Sequence, residues 1–154
     1  MELIRHFLPC LYAFFACIGF SVLFNIQGTG ILICSAGGAL GWLVYLITEP
    51  LCGGSELIQA LAAAVALAAY GEIMARVRRC LVTPYILVAA LPLVPGAGIY
   101  YSMEHAINGE TQAFLNRFLH TLGLAGAMAV GILLVGSVTR LAAGRHRKPS
   151  QERM

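Results

Sequence analysis

The chain has 154 residues, of which 59% are hydrophobic and 11% are charged, and its formal net charge is +3. Soluble domains are about 45–50% apolar, so this composition excludes an ordinary soluble domain and predicts a single polytopic membrane unit. The basic residues lie at the ends of apolar runs, so the positive charge does not indicate a nucleic-acid partner.

The first apolar run predicts a membrane span over residues 3–24. Its start is similar to a signal peptide, with Arg5 ahead of the apolar residues. The run nevertheless continues to Phe24 without a following A-x-A cleavage site, so we expect a retained helix. Asn25 is expected either to cap this span or to face a cavity, and the sequence favours neither interpretation.

The second and third apolar runs predict spans over residues 31–47 and 57–77. In the second span, Gly37 and Gly41 form a G-x-x-x-G pair, which allows another helix to approach closely and predicts a packed, structural face. This span is only about 17 residues long, at the short limit for crossing a bilayer. A four-span alternative, in which residues 31–47 are re-entrant, therefore stays open.

Two charged residues lie near the end of the third span. Glu72 is the acidic residue placed near membrane depth, and ionisable residues at such positions are functional candidates. Arg76 follows four residues later, so the two side chains can pair on one helical face. An ion pair near the interface is the competing interpretation of Glu72.

The fourth span, residues 84–103, contains Pro92, Pro95, Gly96 and Gly98. Each proline lacks an N–H group and clashes with the carbonyl four residues earlier, and glycine permits unusual backbone angles. The pattern predicts a broken helix. Transporters use such breaks to place half-helix ends at a substrate site, whereas a kink that only assists packing is the alternative.

Pro84 begins the fourth span, and a polar turn at Asn108 leads to a fifth span over residues 118–141, followed by a basic tail over residues 144–154. Five spans place the two termini on opposite sides of the membrane. Because basic residues favour the cytoplasmic side, we predict an outside N-terminus and an inside C-terminus. The predicted inside set is Arg76, Arg78, Arg79, Arg140, Arg145, Arg147, Lys148 and Arg153, and the outside set is Arg5 and Arg117.

The sequence carries none of the motifs that indicate a membrane enzyme. It has no phosphate loop, G-x-S-x-G, H-E-x-x-H or pair of carboxylates, and its four histidines are scattered. Its five cysteines show no C-x-x-C spacing and are interpreted as packing residues, with Cys52 in a loop. We therefore predict no catalytic residues, no metal and no organic cofactor.

At the fourth span the sequence resembles the threonine/serine exporter family. The resemblance lies in Pro92-Leu93-Val94-Pro95-Gly96 followed by Tyr100, which matches the half of that family that carries P-x-x-P-G-x-x-x-Y. The preceding Glu72, its basic run and Pro84 fit the same pattern. Residues 19–25 are similar to the end of the family's first span, so the resemblance covers about residues 19–101.

The resemblance implies the small subunit of a split exporter in the inner membrane of a bacterium. It implies a larger membrane subunit as partner and the export of amino acids such as threonine and serine, or of dicarboxylates such as succinate. Stripes of small residues also predict assembly, with that subunit or with copies of this chain. A structural or regulatory subunit, whose partner holds the whole transport pathway, is the alternative.

Two sets of residues carry these expectations. The expected substrate-binding residues are Asn25, Glu72, Pro92, Pro95, Gly96, Gly98 and Tyr100. The expected structural residues are Gly37, Gly41, Arg76 and Pro84.

Overall fold

The computed structural model is all-helical over the residues that it describes, 2–51 and 53–145, with side chains described for 7–51 and 53–142. The helices in chain order are α1 (Glu2–Leu23), α2 (Thr29–Thr48), α3 (Glu56–Arg78), α4 (Thr83–Ala90), α5 (Gly96–Ile107) and α6 (Thr111–Arg145), with a 3-10 turn at Leu91–Leu93 between α4 and α5. Cys52 and residues 146–154 of the predicted basic tail lie outside the described residues.

The structure confirms an all-α membrane fold with a broken fourth helix. By length and composition α2, α3 and α6 can each cross a membrane, and the bent pair of α4 and α5 adds a fourth candidate span. The apolar part of α1, Phe7–Leu23, is shorter, so the count of five spans stays a prediction. Because α2 is 20 residues long, its length does not favour the four-span alternative in which residues 31–47 are re-entrant.

Helix α2 lies at the centre of the fold, against α1, α3, α4 and the 3-10 turn. Its glycines allow this close packing. A Cβ atom at Gly37 would lie 3.1 Å from the Cβ of Ala89, and one at Gly41 would lie 3.3 Å from the Cδ1 of Leu93. The glycine face of α2 is therefore in contact with the chain segment that immediately precedes the break.

Helix α6 packs against both α3 and α5. It lies close to α3 at Gly131, where a Cβ atom would lie 2.9 Å from the Cβ of Ala64 and 3.0 Å from the carbonyl oxygen of Leu61. Its approach to α5 is at Thr121, whose side chain would clash with a Cβ atom at Gly98. Glycines at positions 131 and 98 thus permit the close spacing of α6 to α3 and of α6 to α5.

The two ends of the helix bundle differ in charge. At one end, which we call the basic end, Arg76 Nη2 donates to the carbonyl of Thr139 at 3.2 Å and the guanidinium of Arg78 donates to the hydroxyl of Thr29. Among the residues whose side chains the structure describes, the arginines at this end are Arg76, Arg78, Arg79 and Arg140. The opposite, acidic end carries Arg117 and the carboxylates Glu49, Glu56, Glu104 and Glu110.

Side-chain pairs hold the helices together at the acidic end. His120 Nε2 lies 3.5 Å from Glu56 Oε2, which joins α6 to the start of α3. His105 Nδ1 lies 2.6 Å from Glu110 Oε2 across the turn between α5 and α6. These exposed contacts each stabilise the fold only modestly, but they fix which helix ends meet.

The charge difference between the ends generates a topology prediction, because basic residues favour the cytoplasmic side. A fluorescent protein that matures only in the cytoplasm, fused after Met154, should be bright. Alkaline phosphatase, which is active only outside the cytoplasm, should be active when fused after Gly54. A dark carboxyl-terminal fusion would contradict the predicted orientation, and an inactive Gly54 fusion would contradict the span assigned to α2.

The contact between α3 and α6 generates a stability prediction. Gly131→Ala should destabilise the protein by about 1–3 kcal/mol, because the added methyl group overpacks a closed contact. Gly126→Ala on the same helix is the matched control, since nothing lies within 4 Å of a Cβ atom there. The midpoint of thermal unfolding in mild detergent should fall for the first variant alone, and equal midpoints would contradict the prediction.

Candidate functional site

The break begins where Pro92 interrupts the hydrogen bonding of α4. A helix would pair the N–H of residue 92 with the carbonyl of Val88, and proline has no N–H to offer. In the structure the N–H of Leu91 donates to that carbonyl instead, and Cys17 of α1 donates its S–H to it at 3.4 Å. The carbonyl freed by Pro92 is therefore satisfied by the neighbouring turn and by α1.

Pro95 completes the break by bending the chain. Its φ of −75° and ψ of 58° are those of an inverse γ-turn, and the N–H of Gly96 donates to the carbonyl of Val94 at 2.7 Å. Val94 itself donates to the carbonyls of Ala90 and Leu91, at 3.2 and 3.3 Å. As a result α5 leaves the break at 50° to the preceding segment.

Helix α5 begins at Gly96 without a capping side chain. After the γ-turn bond of Gly96, the next backbone donor at this end is Ile99, whose N–H reaches the carbonyl of Pro95 at 3.4 Å. The first N–H groups of a helix have no partner within the helix, and they carry a partial positive charge. The start of α5 therefore offers donors suited to an anionic group.

A cleft of about 280 Å³ lies directly beside the break. Helices α2, α3, α5 and α6 line it together with the break. The lining residues are Trp42 and Tyr45 from α2, Ala60 from α3, Leu124 and Met128 from α6, and the segment from Pro92 to Ala97, which includes the start of α5. Within the described part of the chain, its lining includes no charged side chain. The cleft is thus mostly apolar, with polar groups concentrated at the α5 N-terminus and on two aromatic rings.

Sequence reasoning missed Trp42 and Tyr45, whose rings lie 5.5 Å apart between centroids. An indole N–H and a phenol O–H combine an apolar ring with a hydrogen-bonding tip. The signal that could have identified them is helical spacing. Tyr45 follows Gly41 by four residues, so it continues the glycine face of α2 that contacts the segment before the break.

Of the residues predicted to bind substrate, three line this cleft: Pro92, Pro95 and Gly96. Gly98 lies one turn into α5 against Thr121 of α6. Tyr100 is 68% exposed and packs edge-to-face on Tyr101, with 5.4 Å between the ring centroids. Gly98 and Tyr100 are therefore close to the break in sequence but do not line the cleft.

Asn25 lies at the end of α1, away from the cleft lining. Its backbone is left-handed, with φ 56°. Its N–H donates to the carbonyl of Val22, and the N–H of Ile26 donates to that of Ser21. This pair of bonds is a Schellman motif, in which asparagine commonly replaces glycine.

Glu72 and the predicted structural residues Arg76 and Pro84 also lie outside the cleft lining. Glu72 Oε2 is 3.6 Å from Arg76 Nη2, in a separate groove between α3 and α6. Pro84 lies in the first turn of α4, where proline is tolerated. The structure therefore does not bring Glu72 together with the break, and a role for it in substrate binding stays a prediction.

The open N-terminus of α5 predicts that water reaches this cleft. A charged thiosulfonate reagent should label Ala97→Cys above the background of the native cysteines, because such reagents react with thiolates in water. Ala129→Cys is the matched control, since Ala129 is exposed on α6 and follows Met128, which lines the cleft. Equal labelling of the two variants would show that the cleft is no wetter than the outer face of α6.

Comparison with known proteins places these features in a family. A family model described as Threonine/Serine exporter, ThrE, matches residues 9–138, which include the break, the cleft and most of α6. Searches of curated proteins and of solved structures gave no significant match. Because the match covers far more than half of the chain, the chain belongs to the threonine/serine exporter family of membrane exporters.

Proposed function

We propose that the chain is the small membrane subunit of a split secondary exporter for small metabolites that carry a carboxylate. The substrates would be amino acids such as threonine and serine, or dicarboxylates such as succinate. The subunit would work with a larger partner in the inner membrane of a bacterium, with its basic end in the cytoplasm. Family membership supports the exporter class, the cleft beside the break supports a substrate that carries a carboxylate, and the charge difference between the two ends of the bundle supports the orientation.

The observation that carries this proposal is the uncapped N-terminus of α5 at the wall of the cleft. A helix N-terminus is equivalent to about half a positive charge and presents unpaired N–H donors. Trp42 and Tyr45 add an N–H and an O–H on the facing wall. A carboxylate is the chemical group that all the proposed substrates share, and this arrangement suits it.

The uncharged lining supports the involvement of a partner subunit. An amino acid also carries an ammonium group and a dicarboxylate carries a second negative charge, and burying either without a counter-charge is costly. The described cleft lining supplies no charged side chain. A larger subunit that completes the site would supply these charges, whereas a purely structural subunit would need no substrate contact here.

Removing the break tests the proposal directly. In the double variant Pro95→Ala and Gly96→Ala, alanine replaces two helix breakers and favours a continuous helix. Losing one hydrogen bond to a charged group costs about 1.5–3 kcal/mol, so export should fall at least about tenfold. Efflux of threonine, serine and succinate would be measured from cells with this chain alone, with the partner alone and with both.

The matched control is the double variant Pro50→Ala and Gly126→Ala, which makes the same two chemical changes away from the cleft. Pro50 is exposed in the loop after α2, and Gly126 faces open space. Both double variants should insert at normal levels, and the control should export normally. If the Pro95→Ala and Gly96→Ala variant inserts normally and still exports normally, the result would favour a structural role and contradict the proposed substrate contact.

A further inference from the structure

A second hollow lies between α3 and α6, toward the basic end of the bundle. Its volume is about 420 Å³, and it shares no lining residue with the cleft at the break. Aliphatic side chains line it from Val65 on α3 to Val138 on α6, and Arg76 and Thr139 lie at its basic end. We call it the α3–α6 groove.

The groove arises from the way the two helices meet. They lie close together at Gly131, where a Cβ atom would overlap Leu61 and Ala64, and they meet again where Arg76 Nη2 donates to the carbonyl of Thr139. Between these contacts the small side chain of Ala69 lines the hollow. The groove therefore lies between these two contacts.

The dimensions of the groove match one leaflet of a bilayer. From Val65 to Arg76, eleven residue steps along α3 rise about 16 Å, at about 1.5 Å per residue. The hydrocarbon core of a bilayer is about 30 Å thick, so one leaflet accounts for about 15 Å. An acyl chain lying in the groove would thus reach the headgroup level where the arginine lies.

The charges at the mouth of the groove select the headgroup. The side chain of Arg76, which lines the groove, is 53% exposed, and Arg140, which follows the lining residue Thr139, is also exposed. Arg76 uses Nη2 toward Thr139, and a guanidinium has five N–H donors in all. Arginine donors match the oxygens of a phosphate, and basic pockets between membrane helices bind anionic headgroups.

Glu72 restricts where that phosphate can lie. Its side chain is 17% exposed and its carboxylate is 3.6 Å from Arg76. A phosphate at the depth of Glu72 would be repelled, so it must lie beyond Arg76, toward Arg140 and the bilayer surface. This is the position that the phosphate of a glycerophospholipid takes when its acyl chain lies along the groove.

We propose that the α3–α6 groove binds an anionic glycerophospholipid. One acyl chain lies against Val65, Ala69 and Val138, and the phosphate accepts hydrogen bonds from Arg76 and is attracted by Arg140. The site is separate from the cleft, so it does not depend on the proposed transport function. Its occupant is a lipid rather than a partner helix, because the groove ends at Arg76, an exposed arginine whose donors match the oxygens of a phosphate.

Lipid retention by the purified protein tests this proposal. Full-length protein in mild detergent would be equilibrated with phosphatidylglycerol or phosphatidylcholine of identical acyl chains, and bound lipid would be counted by native mass spectrometry. The wild type should retain phosphatidylglycerol in preference to phosphatidylcholine. Arg140→Gln should reduce retention of phosphatidylglycerol about fivefold, and Arg76→Gln should do the same.

Two further variants separate the roles of charge and shape. Arg117→Gln is the matched control, an exposed arginine of α6 at the acidic end, and it should leave retention unchanged. Ala69→Phe should abolish retention of both lipids, because it fills the groove and leaves the charge as it is. Equal retention of the two lipids by the wild type, or retention unaffected by both Arg140→Gln and Ala69→Phe, would overturn the proposal.

A photocrosslinker at position 69, used in intact membranes, identifies the occupant directly. Phospholipid adducts should form. Adducts exclusively with protein would show that a partner helix covers the groove, and would also overturn the proposal.

Discussion

The constraint on which the structure depends is the loss of two backbone donors inside a bilayer. Pro92 and Pro95 cannot pair with the carbonyls of Val88 and Leu91, and at membrane depth such carbonyls need partners from the protein or from a water-filled cavity. Leu91 and Cys17 donate to the first carbonyl and Val94 donates to the second. The break is therefore tolerated because neighbouring groups satisfy what the prolines leave open.

This solution requires α1 and α2 to lie close to the broken segment. Cys17 reaches Val88 because α1 contacts α4 directly and both helices pack on α2. Gly37 and Gly41 provide the short separation on the α2 side, where Ala89 and Leu93 fill the space that a side chain would need. The same packing places Trp42 and Tyr45 at the cleft. The contacts of α2 that support the break therefore also position the walls of the site.

The 50° bend has a further consequence for the second half of the chain. It directs α5 onto α6, where Gly98 and Thr121 are in contact. Leu124 and Met128, further along α6, then face the break and close the cleft. Because these walls are apolar, the polar character of the cleft depends on the N-terminus of α5 and on the two rings of α2.

The sequence was sufficient to predict the helices and the break, because proline, glycine and apolar runs act over a few residues. It was insufficient for the contacts that join distant helices. Tyr100 was expected to bind substrate, and the structure places it exposed beside Tyr101 rather than in the cleft lining, so that role stays a prediction. Cys17 was expected only to pack, since nothing local indicates that Val88, in another helix, has a free carbonyl.

The most direct measurement of the central claim is protection of the cleft by substrate. Membranes that contain the exporter with Ala97→Cys would be labelled with a charged thiosulfonate reagent, with and without threonine, serine or succinate, and with their neutral amide analogues at the carboxyl group. If the N-terminus of α5 binds a carboxylate, an exported acid should slow the labelling of this cysteine and its amide should not. Labelling at the same rate with acid, with amide and with neither would contradict the account.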